Sequence, residues 1–182
     1  MIKRVLRQMV VGPKSISFLV CAAIALQAGT GNTRPKSHYS RSQIQMMVIE
    51  EAHKVGVPCS LALAVAHAES NFDPAAQSNK GARGVMQVMP ATSRAVYNVS
   101  PEILWNPRVN IVIGLDYLKY LLERYRGRSD LALSFYNGGS RVDRYGRHRP
   151  RVIPYTRKYV MKVTNLRFHY ARRLRGGNFF SR

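Results

Sequence analysis

Glu69 closes an apolar run, LALAVAHAE, in a chain of 182 residues that holds only 9 carboxylates. On a helix it shares a face with Ala62, Val65 and Ala66, its neighbours at i−7, i−4 and i−3, all small and apolar. His67, at i−2, points elsewhere and is not its proton partner. A carboxylate against apolar walls is poorly solvated in its charged form, so its pKa rises. That is the condition a general acid needs near neutral pH. A glutamate at a helix end can also serve as a cap or salt-bridge partner, and the run alone leaves both roles open.

The elements that must carry this residue are mostly helices. SRSQIQMMVIEEAHKVG reads as a helix with a capping box of Ser42 and Gln45, ended by Gly56. Pro58 and Ser60 open the helix that carries Glu69. Residues 71–84, rich in Asn, Asp, Gly, Ser and Pro, read as a loop with turns, and VMQV (85–88) as a short strand. Pro90 suits the first turn of the next helix. In NIVIGLDYLKYLLERY, Ile111, Leu115, Leu118, Leu122 and Tyr125 recur at steps of four and three and make one apolar face. Ser129 or Asp130 caps LALSFY, Gly138-Gly139 breaks it, and residues 140–151 form a basic loop. The last helix runs from about Pro154 to Arg172 and aligns Val160, Val163, Leu166 and Tyr170. The expected fold is mainly α, of an α+β class, with a single helical domain and a small irregular or β portion around residues 72–90.

Composition narrows the partners. Lys and Arg number 29, for a formal charge of +20, so an anionic partner is expected. Residues 1–28 combine Lys3, Arg4, Arg7 and Lys14 with the apolar run ISFLVCAAIALQA, which reads as a secretory signal peptide cleaved near Ala28. An uncleaved anchor or a buried helix is the alternative. Removing the leader lowers the charge from +20 to +16. The expected organisation is a signal peptide (1–28), a polar linker (29–41), the folded domain (42–172) and a basic tail (173–182). Export directs the charge toward a wall polymer rather than nucleic acid, with a periplasmic or secreted location and no stable membrane span after cleavage. Cleavage would also remove Cys21 and leave Cys59 alone, as a small buried hydrophobe. His38, His53, His67, His148 and His169 are scattered, so no metal site is expected and no cofactor is implied.

Five stretches then fall in order over about 120 residues: Glu69-Ser70, SNKGARGVMQVMP (78–90), WNPRVNIVIGLDYL, ALSFYNGGS and TRKYV. Together, from Glu50 to Tyr170, they resemble the catalytic domain of lytic transglycosylases of the soluble type. That family is a branch of the lysozyme-like superfamily related to goose-type lysozyme. Glu69-Ser70 is similar to its Glu-Ser pair, and Gly84 to Gln87 to its Gly-Leu-Met-Gln signature, with Val85 for Leu. ALSFYNGGS resembles Ala-Tyr-Asn-Ala-Gly-Pro, with Phe135 for Ala, Gly138 for Ala and Ser140 for Pro. Two departures alter one wall of the groove: Tyr155 stands where the family often has a Glu, and the loop RVDRYGRHRPRV is unusually basic.

The resemblance implies cleavage of the β-1,4 bond between N-acetylmuramic acid and N-acetylglucosamine in peptidoglycan, with Glu69 as acid and then base and a 1,6-anhydro sugar as product. It implies that Ser78 and Gln87 line the groove near the acid. Met86 and Met89 would pack under or beside the sugar, unless they are core methionines. Tyr136 and Asn137 would hold the N-acetyl group from the opposite wall. Tyr159 would hydrogen-bond and orient the acid, or else belong to the core. The lack of a separate wall-anchoring domain resembles the small specialised members that open gaps in the wall for secretion systems, pili or flagella.

A hydrolytic muramidase on the same fold is the alternative, and it needs a second carboxylate. Glu50 and Glu51 lie on the first helix, Asp116 and Glu123 flank the apolar stripe, Asp130 suits a cap, and Glu102 follows Ser100-Pro101 at a helix start. Asp73 in NFDP, which also suits a turn, and Asp143, which also suits an ion pair, remain as candidates. A non-catalytic wall-binding protein is a third reading, but a binder has no need of the acid.

Overall fold

The computed structural model describes residues 38–145 and 149–177. The expected leader (1–28), most of the linker and the end of the basic tail lie outside the described residues, as does His148. Among the described residues seven α-helices follow one another: α1 (Arg41–Val55), α2 (Cys59–Ser70), α3 (Pro90–Tyr97), α4 (Pro107–Arg124), α5 (Ser129–Gly138), α6 (Arg141–Tyr145) and α7 (Arg157–Arg175). Short 3₁₀ turns at Pro101–Trp105 and Pro154–Thr156 lead into α4 and α7.

The core is built around α2. Leu61 to Ala66 are buried without a break, so this helix has no solvent face along its middle. It packs chiefly against α7 and also against α1, which in turn lies on α4. Ile111, Leu115 and Leu118 of the expected stripe are fully buried, Leu122 is half-buried, and Tyr125 is buried just past the end of α4. On α7, Val163 and Tyr170 are buried while Val160 and Leu166 pack at the core's margin.

Several local expectations are corrected. The capping box of α1 is Ser40 with Gln43, not Ser42 with Gln45: Gln43 N–H donates to Ser40 Oγ (3.2 Å) and Ser40 N–H to Gln43 Oε1 (2.7 Å). Both serines precede a glutamine by three residues, and pattern alone does not choose between them. Gly56 does end the helix, at φ +76°. Residues 84–87 form a turn rather than a strand, since Gly84 and Gln87 both take positive φ (71° and 48°). The β portion among the described residues reduces to two isolated antiparallel bridges, Gln77–Arg83 and Arg83–Val88. Asp130 does not cap α5 but pairs with Arg128 (2.8 Å). The basic loop contains the short helix α6, and α7 extends three residues beyond the expected end.

Candidate active site

Glu69 sits on the last turn of α2, partly buried, with Ala62, Val65 and Ala66 fully buried on its own face. Tyr159, on the first turn of α7, donates its hydroxyl to Glu69 Oε1 at 2.6 Å. Lys162, one turn further along α7, donates to the Ala68 carbonyl at 3.0 Å and so brings a cation near the acid. Burial pushes the Glu69 carboxyl up to about 7, against the opposing pull of the Tyr159 hydrogen bond and the Lys162 charge. His67 turns the other way and meets the Tyr170 hydroxyl at 2.8 Å.

The segment 84–89, tied to Ser70 beside the acid, is fastened by three side chains from three different helices. Ser70 Oγ donates to the Val85 carbonyl (2.8 Å). Tyr136 on α5 donates to the Met86 carbonyl (2.8 Å). Asn110 on α4, fully buried, accepts from Met86 N–H (2.8 Å) and donates to the carbonyls of Arg83 (2.8 Å) and Leu104 (3.0 Å). The close fit dictates glycine twice. A Cβ on Gly84 would lie 2.5 Å from Asn110 Nδ2, and one on Gly114 2.4 Å from Met86 Cβ.

The expected groove residues divide on this geometry. Met86 is 0% exposed and therefore core, whereas Met89 is 39% exposed at the start of α3. Gln87 is half-buried and its amide donates to the carbonyls of Ala76 (3.2 Å) and Gly84 (3.0 Å), which holds the turn. Ser78 closes another turn by accepting Ala82 N–H at Oγ (3.0 Å). The Tyr136 hydroxyl hydrogen is committed to the Met86 carbonyl and so helps hold segment 84–89 in place. Asn137 is exposed and lines a cleft of about 420 Å³ with Lys80, Gly138, Arg141 and Tyr155.

Neither candidate for a second carboxylate stands unengaged. Asp73 accepts Ala75 N–H (2.8 Å) as a turn residue. Asp143 accepts from Arg124 (2.8 Å) and the Tyr125 hydroxyl (2.7 Å). Of the other acids, Glu50 and Glu51 both pair with Arg108, and buried Asp116 accepts from Tyr97 (2.8 Å). Cys59 is a free, half-buried thiol against the core.

Sequence reasoning missed the roles of Ser70, Asn110 and Lys162. An asparagine between two apolar residues in NPRVNIVIG was the one signal for a buried polar clamp.

The described residues thus form a helical domain in which a desolvated carboxyl on α2 is held by a tyrosine of α7. The model of the Transglycosylase SLT domain family matches residues 46–152, and the chain belongs to that family. It is 34% identical over 90 residues to the soluble lytic murein transglycosylase of Escherichia coli K12, covering 46% of this chain and 14% of that protein. To membrane-bound lytic murein transglycosylase C of Yersinia enterocolitica it is 36% identical over 109 residues, covering 52% and 30% respectively. Among solved structures it is similar to an inactive mutant of the lytic transglycosylase Slt from Pseudomonas aeruginosa. The TM-score is 0.64 at 27% identity, covering 78% of this chain and 25% of that one. The 70 kDa soluble lytic transglycosylase of E. coli gives a TM-score of 0.62 at 28% identity, covering 72% and 24%. The chain thus spans less than a third of the length of these relatives.

Proposed function

We propose that this protein is a peptidoglycan lytic transglycosylase that cuts the β-1,4 bond between N-acetylmuramic acid and N-acetylglucosamine, with Glu69 as its one catalytic carboxyl group. The observation that carries this reading is the Glu69 carboxyl, raised to about 7 on apolar walls and hydrogen-bonded by Tyr159. Protonated, it donates to the leaving glycosidic oxygen as an oxocarbenium-like centre develops at the muramic acid. The resulting carboxylate then takes the proton of that sugar's C6 hydroxyl, whose oxygen attacks the anomeric carbon. The bond to the leaving sugar is replaced by an internal C–O bond, no water is consumed, and Glu69 regains its proton. Tyr159 steadies the charged form between the two steps.

Met89, Asn137 and the segment 84–89 supply the walls of the groove, and Ser78 and Gln87 hold their turns in shape. Hydrolysis, by contrast, calls for a carboxylate ready to activate water or attack. Asp73 is engaged in its turn and Asp143 in an ion pair, which favours the transglycosylase. Action in the periplasm or outside the cell, after loss of residues 1–28, fits a wall substrate. No helix of the described residues is long and apolar enough to cross a membrane. Service to a secretion, pilus or flagellar assembly rests on the resemblance to small specialised members.

Mass spectrometry of soluble products from purified peptidoglycan tests the reading. The protein should release muropeptides with 1,6-anhydro ends, one water lighter than hydrolysis products, and Glu69→Gln should release none while remaining folded. Reducing-end products that depend on Glu69 would make the protein a muramidase. Turnover by a folded Glu69→Gln variant would overturn the mechanism.

A further inference from the structure

Arg141, which opens the basic segment, and the exposed Tyr155 line the 420 Å³ cleft together with Asn137, Gly138 and Lys80. Two parts of this lining are built independently. Lys80 rides on a tight turn closed by Ser78, through Ala82 N–H to Ser78 Oγ (3.0 Å), Ser78 N–H to the Ala82 carbonyl (3.0 Å) and Gly81 N–H to the Ser78 carbonyl (2.9 Å). Elsewhere in the lining, Tyr155 donates its hydroxyl to the Gly138 carbonyl (2.9 Å), and the Arg141 guanidinium lies 5.7 Å from the Tyr155 ring centroid. Gly138 has no room for a side chain, since a Cβ would lie 2.7 Å from Tyr155 Oη and 2.6 Å from Ile153 Cδ1. The tyrosine is thereby seated and offers its ring to the arginine.

Among the described residues no carboxylate lines the cleft, and neither Lys80 nor Arg141 is in an ion pair. Two cations converging on one polar cleft repel each other unless an anion joins them. An arginine suits a carboxylate through its planar fork, and a lysine adds a mobile point charge. The glycan backbone is neutral. Its acidic groups hang from the muramic acid: the lactyl carboxylate when it is free, or the stem-peptide carboxylates when a stem is attached. We propose that Lys80 and Arg141 form a carboxylate site for the acidic substituent of muramic acid, so that the groove reads which sugar lies beside Asn137. This rests on the transglycosylase reading of the groove and adds the group it recognises.

Equilibrium binding to the Glu69→Gln protein tests the site without turnover. Three ligands are compared: neutral N-acetylchitotetraose, a peptide-stripped muramyl tetrasaccharide, and the same tetrasaccharide carrying stem peptides. Lys80→Ala and Arg141→Ala should each weaken muramyl binding by about five-fold, as expected for loss of one charge-assisted hydrogen bond, and leave chitotetraose binding unchanged. Lys80→Arg should keep most of the affinity. A loss confined to the stem-bearing ligand assigns the stem carboxylates, and an equal loss on the stripped ligand assigns the lactyl group. Unchanged muramyl affinity in both alanine variants, or an equal loss on chitotetraose, would overturn the site while leaving the enzyme reading standing. Failure of the Glu69→Gln protein to bind any of the three ligands would remove both.

Discussion

Around Glu69 burial and hydrogen bonding pull in opposite directions, and burial prevails. A free glutamate near 4.5 would have lost its proton at neutral pH, but this one, at about 7, keeps it for part of the time. Cleavage is therefore expected to fall as pH rises through about 7, in step with loss of the proton donor. Stability moves with it. The raised folded pKa favours the protonated state, a contribution fully present below about 4.5 and lost as pH rises through about 7. The total is at most on the order of 3 kcal/mol. Glu69→Gln should accordingly melt higher than the parent at about pH 8 and nearly with it at about pH 4, which thermal unfolding at the two pH values measures. Tyr159 acts on the same balance. Tyr159→Phe removes the bond that favours the charged form, so the alkaline limb of the pH–rate profile should shift upward while the maximal rate drops roughly 10-fold or more. A lowered melting temperature with an unmoved limb and normal turnover would place Tyr159 in the core instead.

At the level of elements, segment 84–89 depends on helices that are remote in sequence. Asn110 alone bonds three of its neighbouring backbone groups and is buried completely. Asn110→Ala leaves those groups unpaired away from water and should cost roughly 2–4 kcal/mol in urea unfolding. The same variant should turn over more slowly, because the segment bonded to Ser70, next to Glu69, loses its tie to α4. The helices themselves were readable from periodicity, since Ile111, Leu115 and Leu118 repeat as a buried stripe must. What the pattern could not show was which of two equivalent Ser-x-x-Gln boxes starts α1, or that VMQV is a turn. Both answers depend on contacts made across the chain. Met86 stayed open between sugar contact and core for the same reason: a methionine in a signature looks alike whether it faces ligand or core, and it is Gly114 on α4 that admits it to the interior. Glu69 and Tyr159, placed 90 residues apart, were legible because ordered motifs carried them both.

On the scale of the whole molecule, charge is distributed unevenly. From Arg141 to the end the sequence holds 13 basic residues and one acid, and α7 exposes Arg157, Lys158, Lys162, Arg172, Arg173 and Arg175 around Met161 and Phe168. Such a face attracts an anionic polymer at a distance, and salt screens that attraction. Digestion of intact wall material should thus slow as ionic strength rises from about 0.05 to about 0.5 M, while cleavage of a short soluble substrate changes less. A rate on whole wall that is indifferent to salt would make the basic face a merely solvated one. The central position of α2 has a further consequence. Its middle is closed in on every side and the acid stands on its last turn, so the reactive group belongs to the part of the chain that opens last in local fluctuations. Loops at the rim can fray without disturbing it. Heat inactivation and global unfolding then become a single event, and backbone amides along α2 should exchange with solvent at the slow limit set by complete unfolding.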